Sequence, residues 1–307
     1  MTPDIDFEFD FVTDWPRIFL VALVVIVGAA FIIGGATSGV AFDAFNPEWD
    51  GTNSLQATAE DAGSEPVIVR NTTRYTQYGA NTTAFVLAPD EPYTEADAAR
   101  VQAFVERGGT LVIADRDGPH GPDLLTAIGA DAQPIGPLLR DERHYHRSPA
   151  LPVATEVTEH HFTDGVESVT LNYGTALAPG DATVLVASSP YSYLDRDGSG
   201  TLSENETLTS YPVATVESVG DGEVVTVSDP SVFINVMQEQ DGNRAFSRAL
   251  VLGTNHTLID ISRVGSPPPL VALVLTIRDS LLLQIGLGIG GLGLLRVGSN
   301  YFAASRP

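Results

Sequence analysis

The residues best suited to chemistry form an acidic, hydroxyl-rich run between Asp195 and Glu206. The run reads DRDGSGTLSENE and fits the calcium loop D-x-[DN]-x-[DNS]-G-x5-E, with serine where an acid is commoner at the fifth position. Calcium prefers oxygen ligands, and Gly200 allows the sharp turn of such a loop, with Leu202 pointing inward. The predicted ligands are the side chains of Asp195, Asp197 and Ser199, the carbonyl of Thr201, Ser203 directly or through water, and Glu206 in bidentate fashion.

The flanks of this loop favour strands rather than the paired helices of an EF-hand. Val184–Ala187 before the loop and Val213–Val216 after it are short apolar runs. We therefore predict a calcium-bound excursion between strands, with a dissociation constant of about 10⁻⁴–10⁻³ M, as in weak extracellular sites. A solvated acidic turn that only resembles the motif is the alternative.

The histidines offer a weaker metal-binding pattern. His144 and His146 stand two residues apart, and His160 is followed directly by His161, so each pair could contribute ligands. No H-E-x-x-H spacing fixes their geometry. Surface histidines are the simpler interpretation.

Catalytic and nucleotide-binding motifs are absent from the sequence. The chain has no cysteine, no G-x-S-x-G elbow, and no G-x-G-x-x-G or Walker loop after an expected strand. We therefore expect no catalytic residue and no nucleotide or redox cofactor. A hydrolase or transferase with an acidic or serine centre at the edge of the sheet stays open as an alternative.

A strand–helix–strand unit positions the other polar candidates. Ala84–Ala88 and Thr110–Ala114 are apolar strands, Thr94 caps the helix between them, and Gly108-Gly109 ends it. Two apolar strands joined by a helix predict a right-handed crossover and a parallel sheet covered on both faces. The predicted fold class is α/β, with a mostly parallel, flavodoxin-like sheet, helices on both faces and two flanking transmembrane helices.

Further runs complete the expected domain. Pro212–Glu217 and Glu223–Ser228 predict a hairpin, since Gly220-Asp221-Gly222 joins them. Asn243 is expected to cap a helix that ends before Gly253.

Polar residues that follow the strands define a candidate binding surface. Because the carboxyl ends of parallel strands meet at one edge of a sheet, these side chains are expected to lie together. The surface comprises Asp90, Asp115, Arg116, Asp117, Ser189 and Asp229.

Two apolar stretches bracket the polar part of the chain. Ile18–Ala36 has nineteen residues without a charge, and a helix of that length spans about 28 Å, close to the thickness of a bilayer core. A signal peptide is the alternative, but the preceding residues are acidic rather than basic. The predicted organisation is a tail at 1–17, a transmembrane helix at 18–36, a soluble α/β domain at 45–260, a proline linker at 266–269, a second transmembrane helix at 270–297 and a tail at 298–307.

Charge and glycosylation motifs give the predicted orientation. Arg17, Arg296 and Arg306 lie on the terminal sides of the apolar stretches, which favours cytoplasmic termini. Four N-x-T sequons lie between the stretches, and such sites are acceptors only on the outer side of the membrane. We therefore predict a cell-membrane protein with an extracellular central domain. The candidate glycosylation sites are Asn71, Asn81, Asn205 and Asn255.

The chain is strongly acidic. Over 307 residues the formal charge is −23, and all 16 basic residues are arginines. Nucleic-acid binding requires a basic surface and is therefore not expected. An acidic surface keeps a protein solvated in concentrated salt, so a halophilic source is predicted; an acidic protein of ordinary habitat is the alternative.

Four segments together resemble a known family. VLAPDEPYTEADAARVQAFVERGGTLVIAD, LLRDERHYHRSPALP, YSYLDRDGSG and VVTVSDPSVFIN are similar to a haloarchaeal branch of the domain of unknown function 4350 family, over residues 45–255. The resemblance implies a class I glutamine amidotransferase-like, flavodoxin-like domain held between membrane helices. That family of amidotransferases uses a cysteine after a central strand. Asp115-Arg116-Asp117 occupies the comparable turn here, so the activity should be missing.

The resemblance also suggests partners. Relatives are similar to the soluble part of gliding-type transport components and accompany MoxR-type ATPases and transglutaminase-like membrane proteins. We expect a membrane-anchored, non-catalytic binding or scaffold subunit of a cell-surface or transport-associated complex. Its expected partners are the membrane and other membrane or cell-surface proteins. A calcium-dependent adhesion module is a further alternative.

Overall fold

The computed structural model describes residues 11–116, 118–265 and 269–280. The chain divides into two compact units: one is Gly39–Ser266, and the other comprises Met1–Ser38 and Pro267–Pro307. The α-helices are α1 (Phe11–Ala36), α2 (Asn53–Asp61), α3 (Glu95–Glu106), α4 (His120–Ile128), α5 (Asp241–Val251) and α6 (Pro269–Asp279). Shorter 3₁₀ helices lie at Thr72–Gln77, His161–Thr163, Pro230–Phe233 and Met237–Glu239.

All strands of the described residues belong to the larger unit. In chain order they are β1 (Glu65–Val69), β2 (Thr82–Leu87), β3 (Thr110–Ala114), β4 (Gln133–Pro134), β5 (Leu138–Asp141), β6 (Val153–Ala154), β7 (Glu156–Val157), β8 (Val169–Thr170), β9 (Leu177–Ala178), β10 (Thr183–Ala187), β11 (Ser192–Asp195), β12 (Pro212–Val219), β13 (Gly222–Val227) and β14 (His256–Asp260).

An eight-stranded sheet organises the larger unit, in the order β1-β14-β2-β3-β13-β12-β10-β7. The five strands from β1 to β13 in this order pair in parallel, and β12, β10 and β7 continue the sheet with antiparallel pairs. The predicted α/β class with a mostly parallel sheet is therefore confirmed. The predicted hairpin is the β12–β13 pair.

Strand β14, the second strand from one edge of the sheet, was not predicted from the sequence. It inserts between β1 and β2, although it is the last strand along the described residues. If β14 were counted first, the parallel strands would have the spatial order 2-1-3-4-5 of flavodoxin-like sheets. In chain order the same strands read 1-5-2-3-4, so the connectivity is a circular permutation of that arrangement.

Each face of the sheet carries its own apolar core. On β2, Ala84 and Val86 point into the core that contains Phe104 of α3, whereas Phe85 belongs to the core that contains Phe246 of α5. The alternation follows from the two-residue period of a strand, and both sets are buried because helices cover both faces. Helices on both faces were predicted, and this is confirmed.

Helix α3 begins as its sequence indicates. The Thr94 hydroxyl accepts a hydrogen bond from Asp97 N at 3.2 Å, and the Asp97 carboxylate accepts one from Thr94 N at 3.3 Å, which is a capping box. Burial alone would raise the pKa of Asp97, but hydrogen bonds from Thr72 and Thr94 and the charge of Arg263 lower this pKa to about 2. The helix ends at Glu106, and Gly108 follows its C-cap with a φ of +88° that suits glycine.

The expected cap of α5 is wrong. The helix begins at Asp241, so Asn243 lies inside it. The buried Asn243 amide instead pairs with both backbone groups of Thr170, at 2.7 Å to the N–H and 2.9 Å to the carbonyl. Its side chain therefore fastens β8 to the helix rather than satisfying the first turn.

The first apolar stretch lies within α1. Leu20, Val24 and Ile26 are each 60–64% exposed on this helix. A Cβ at Gly35 would lie 2.5 Å from the Leu270 side chain, so α1 and α6 approach each other closely there. The part of the predicted second span from 281 to 297, and both predicted tails apart from residues 11–17, lie outside the described residues. Over the described residues, no helix combines the length and apolarity required to cross a membrane.

A glycine contact tests the packing of the hairpin against α3. A Cβ at Gly222 would lie 2.2 Å from the carbonyl oxygen of Val105 and 2.3 Å from that of Gly109. Gly222→Ala should therefore lower the free energy of unfolding by at least about 2 kcal/mol in denaturant titrations. Gly129→Ala is the control, since its φ of +84° costs about 1 kcal/mol but nothing lies within 4 Å. Equal losses in the two variants would contradict the packing.

Candidate functional site

The predicted calcium loop brings its acidic ligands together. One carboxylate oxygen from each of Asp195, Asp197 and Glu206 lies within 4.8 Å of the others. Strand β11 ends at Asp195, and β12 follows the loop, so the excursion connects two strands. Asp195 is 7% exposed, whereas Asp197 is exposed.

The two oxygens of Asp195 differ. Oδ2 accepts hydrogen bonds from Arg140 Nε at 2.8 Å and from Gly200 N at 3.1 Å. Oδ1 is buried and receives no hydrogen bond from the described part of the chain. Arg140 lies on β5, which pairs with β11, so the ion pair fixes the carboxylate at the start of the loop.

Backbone hydrogen bonds close the rest of the loop. Glu206 accepts from Arg196 N at 2.7 Å and from Ser203 N at 3.1 Å, so its carboxylate joins both ends. The Asp197 carboxylate accepts from Ser199 N, and the Ser199 hydroxyl donates to the Thr201 carbonyl at 2.8 Å. These backbone hydrogen bonds lower the pKa of both Asp197 and Glu206.

The inward orientation expected for Leu202 is wrong. This side chain is 40% exposed. In an EF-hand that position packs between paired helices, whereas strands flank the loop here. The ligand positions are therefore arranged without the apolar contact of the motif.

Asp115 is buried at the edge of the sheet and does not form an exposed surface there. The residue is 3% exposed, and its carboxylate accepts from three backbone N–H groups. These donors are Arg116 at 2.7 Å, Gly118 at 3.1 Å and Gly121 at 3.0 Å. Asp115 therefore fixes the turn between β3 and the first turn of α4.

Asp229 has the same role after β13. It is buried and accepts from Ser231 N at 2.8 Å and Asn172 N at 2.5 Å. Burial raises the pKa of Asp229 to about 6, although these backbone donors and the charge of Arg116 oppose the shift. The carboxylate holds the segment before β9 against the end of β13.

Ser189 pairs with a residue that the sequence did not single out. Its hydroxyl donates to Asp141 Oδ2 at 2.5 Å, and Ser192 donates to the same oxygen at 2.8 Å. Asp141 Oδ1 accepts from the backbone N–H groups of Arg143 and His144. Ser189 is buried, and its hydrogen bond to Asp141 links the end of β10 to the end of β5.

The other members of the predicted binding surface differ in exposure. Asp90 is exposed, and its N–H donates to the Arg263 carbonyl at 2.8 Å. Arg116 is half-buried and donates to the Tyr173 carbonyl at 2.9 Å. Asp117 lies outside the described residues. The described members follow β2, β3, β13 and β10, whose carboxyl ends share one edge.

A buried tyrosine–aspartate cluster at this edge was missed. Asp260 ends β14 and accepts from Ser262 N at 2.7 Å, from Tyr75 Oη at 2.8 Å and from Tyr93 Oη at 3.3 Å. Burial raises the pKa of Asp260 and, together with the Asp260 charge, raises the pKa of both tyrosines. An apolar run that ends in aspartate, as Thr110–Asp115 also does, was the available signal.

A second metal-type cluster contains His160, His161 and Glu223, with ligand atoms within 4.8 Å of one another. His160 Nδ1 accepts a hydrogen bond from Phe162 N at 3.3 Å, so the neutral ring carries its proton on Nε2. Burial and the neighbouring His161 lower the pKa of His160. The ring nitrogen that faces away from the backbone is thus a donor, which does not suit a metal.

The four predicted glycosylation sites are exposed. Asn71 also accepts from Thr73 N at the start of a 3₁₀ helix. Attachment of a glycan stays a prediction.

The fold and the site define an α/β domain whose strand ends are closed by buried carboxylates. A profile of the family described as Domain of unknown function (DUF4350) matches residues 44–251. The chain belongs to this family, as its four segments indicated. A search of curated proteins found no match.

A comparison with solved structures found several similar chains. The mmIFT52 N-terminal domain is 12% identical with a TM-score of 0.50, covering 66% of this chain and 91% of that one. The exo-β-1,4-mannosidase Op5Man5 from Opitutaceae bacterium strain TAV5 is 13% identical with a TM-score of 0.35, over 63% of this chain and 29% of the enzyme. The β-galactosidase from Bacillus circulans sp. alkalophilus is 14% identical with a TM-score of 0.33, over 66% and 28%. The first likeness shows a shared fold alone.

The pKa of Asp229 predicts a pH dependence. Because the folded protein binds this proton more tightly than the unfolded chain, wild type gains stability relative to Asp229→Asn as the pH falls from about 6 to about 4. The difference should change by about 2–3 kcal/mol over that window, measured by urea unfolding at each pH. The exposed Asp221→Asn is the control for loss of one charge. A difference that grows in the opposite direction would contradict the assignment.

The tyrosine–aspartate cluster predicts a graded loss of stability. Tyr75→Phe removes the 2.8 Å hydrogen bond to buried Asp260 and should cost about 1.5–3 kcal/mol in thermal or denaturant unfolding. Tyr93→Phe should cost less, since its contact is 3.3 Å. Tyr145→Phe, at a 43% exposed position, should change little. A neutral Tyr75→Phe would show that the cluster is not needed.

Proposed function

We propose that the protein is a membrane-anchored, non-catalytic binding or scaffold subunit of a cell-surface or transport-associated complex. The non-catalytic part rests on one observation. Asp115, Ser189 and Asp229 are buried, and their side-chain oxygens form hydrogen bonds that hold loops in place. These hydrogen bonds make the edge of the sheet a firm platform, that is, a surface whose loops are held in place. A firm platform suits recognition of a partner surface.

The membrane part of the proposal rests on the terminal segments. Ile18–Ala36 contains no charged residue, and α1 exposes large apolar side chains along this stretch. Such side chains need a lipid or protein covering. We assign transmembrane helices to 18–36 and 270–297, with cytoplasmic termini and an extracellular domain, on the arginine positions and the sequons.

The contact surface proposed for partners is the exposed part of the carboxyl edge, around Asp90 and Arg116. Membrane or cell-surface proteins are the expected partners, and a MoxR-type ATPase system is carried over from the resemblance. The acidic composition supports a haloarchaeal branch and argues against nucleic acid. A class I glutamine amidotransferase-like framework is part of the same proposal, with Asp115 standing where that chemistry needs cysteine.

The orientation can be tested because the natural chain lacks cysteine. We propose single substitutions of Asp164, which is exposed in the central unit, and of Asp4 in the predicted cytoplasmic tail, each to Cys. A membrane-impermeant maleimide on intact cells should label Asp164→Cys, and label Asp4→Cys only after lysis. Labelling of Asp164→Cys only after lysis would overturn the extracellular assignment.

The contact surface is tested by crosslinking in native membranes at high salt. Asp90→Arg and Arg116→Glu reverse charges at the edge and should reduce crosslinked partner at least about fivefold, because mismatched charges oppose docking. Asp164→Arg is the control away from the strand ends. A full-length protein that stays monomeric and without crosslinks would contradict the scaffold proposal.

A further inference from the structure

Five strands of the domain end in the same way. Each ends in, or is followed within two residues by, an aspartate that is at most 7% exposed and accepts a backbone N–H from the loop that follows. These residues are Asp115, Asp141, Asp195, Asp229 and Asp260.

Four of the five aspartates satisfy both oxygens. In Asp141, for example, Oδ1 accepts two backbone N–H groups and Oδ2 accepts two serine hydroxyls. Asp260 divides its oxygens between Ser262 N and two tyrosines. Asp195 differs, because its Oδ1 is buried without a described donor. A buried carboxylate oxygen without a donor is costly, so it implies a partner of another kind.

The groups around Asp195 indicate that this partner is a cation. The carboxylates of Asp197 and Glu206 converge on Asp195 within 4.8 Å, which is twice the calcium–oxygen distance of about 2.4 Å. Three carboxylates this close repel one another unless a cation lies among them. Arg140 pairs with Oδ2 and offsets one of the three negative charges, which leaves two uncompensated charges and an Oδ1 without a donor.

We propose that the loop Asp195–Glu206 binds one Ca²⁺ through Asp195 Oδ1, Asp197 and Glu206, and that the ion fastens this loop as backbone donors fasten the other four. The Ser199 hydroxyl, the Thr201 carbonyl and water would complete the shell. This proposal does not depend on the membrane assignment.

Calcium fits this loop better than magnesium. Calcium accepts six to eight oxygens in variable geometry, whereas magnesium requires a near-ideal octahedron and retains several waters. The loop offers oxygens from three carboxylates, a hydroxyl and a carbonyl, but no octahedral cage. The exposed position of Asp197 and the half-buried position of Glu206 suit a dissociation constant of about 10⁻⁴–10⁻³ M.

The test is equilibrium dialysis of the full-length protein against ⁴⁵Ca²⁺ in concentrated KCl after chelator treatment. One saturable site is expected, with affinity at least tenfold weaker for Mg²⁺. Glu206→Gln should weaken binding at least tenfold, because it removes a bidentate charged ligand. Asp197→Asn should weaken it several-fold and serves as the second variant if the first does not fold.

Glu204→Gln is the matched control, since Glu204 lies in the same loop at a position that carries no ligand. Its affinity should stay within about twofold of wild type. Equal weakening by Glu204→Gln and Glu206→Gln would show diffuse adsorption to an acidic surface and overturn the site. Lack of saturable uptake up to 10 mM Ca²⁺ would overturn it as well.

Discussion

A carboxylate removed from water must have its oxygens occupied, and this requirement shapes the domain from one end of the sheet to the other. Wherever a strand ends in a buried aspartate, the following backbone turns so that its N–H groups reach the oxygens. Asp115 and Asp229 close neighbouring parallel strands in this manner, and Asp260 closes the strand on the far side of β2. The sheet places the aspartates at the strand ends, and their carboxylates determine the conformation of the loops that follow.

The same requirement separates the residues that hold this edge together from those that a partner could contact. The aspartate side chains at the strand ends are buried and hydrogen-bonded within the domain, so a partner would contact the residues around them. Asp90 and Arg116 retain exposed surface, whereas Ser189 is enclosed beside Asp141. At this edge, buried and hydrogen-bonded aspartates hold the loops, and Asp90 and Arg116 present polar groups around them. The terminal apolar segments would hold this domain at a bilayer.

Local signals in the sequence were sufficient for the local parts of the fold. Strand β2, helix α3 and strand β3 follow from apolar runs, a cap at Thr94 and the glycines after the helix. Strand β14 was missed because only Leu258 and Ile259 of its five residues are strongly apolar, and its place depends on pairing with β1 and β2. The candidate calcium ligands could be proposed from the sequence because they lie within twelve residues. The Ser189–Asp141 pair spans 48 residues, so no local pattern reveals it.

The most direct measurement is a crystal structure of the full chain grown with calcium, at a resolution that separates ions from water. The account predicts an ion about 2.3–2.6 Å from Asp195 Oδ1, with oxygens of Asp197 and Glu206 in its shell, while Asp115 and Asp229 keep their backbone donors. A protein N–H or O–H group bonded to Asp195 Oδ1, with no ion beside it, would contradict the account.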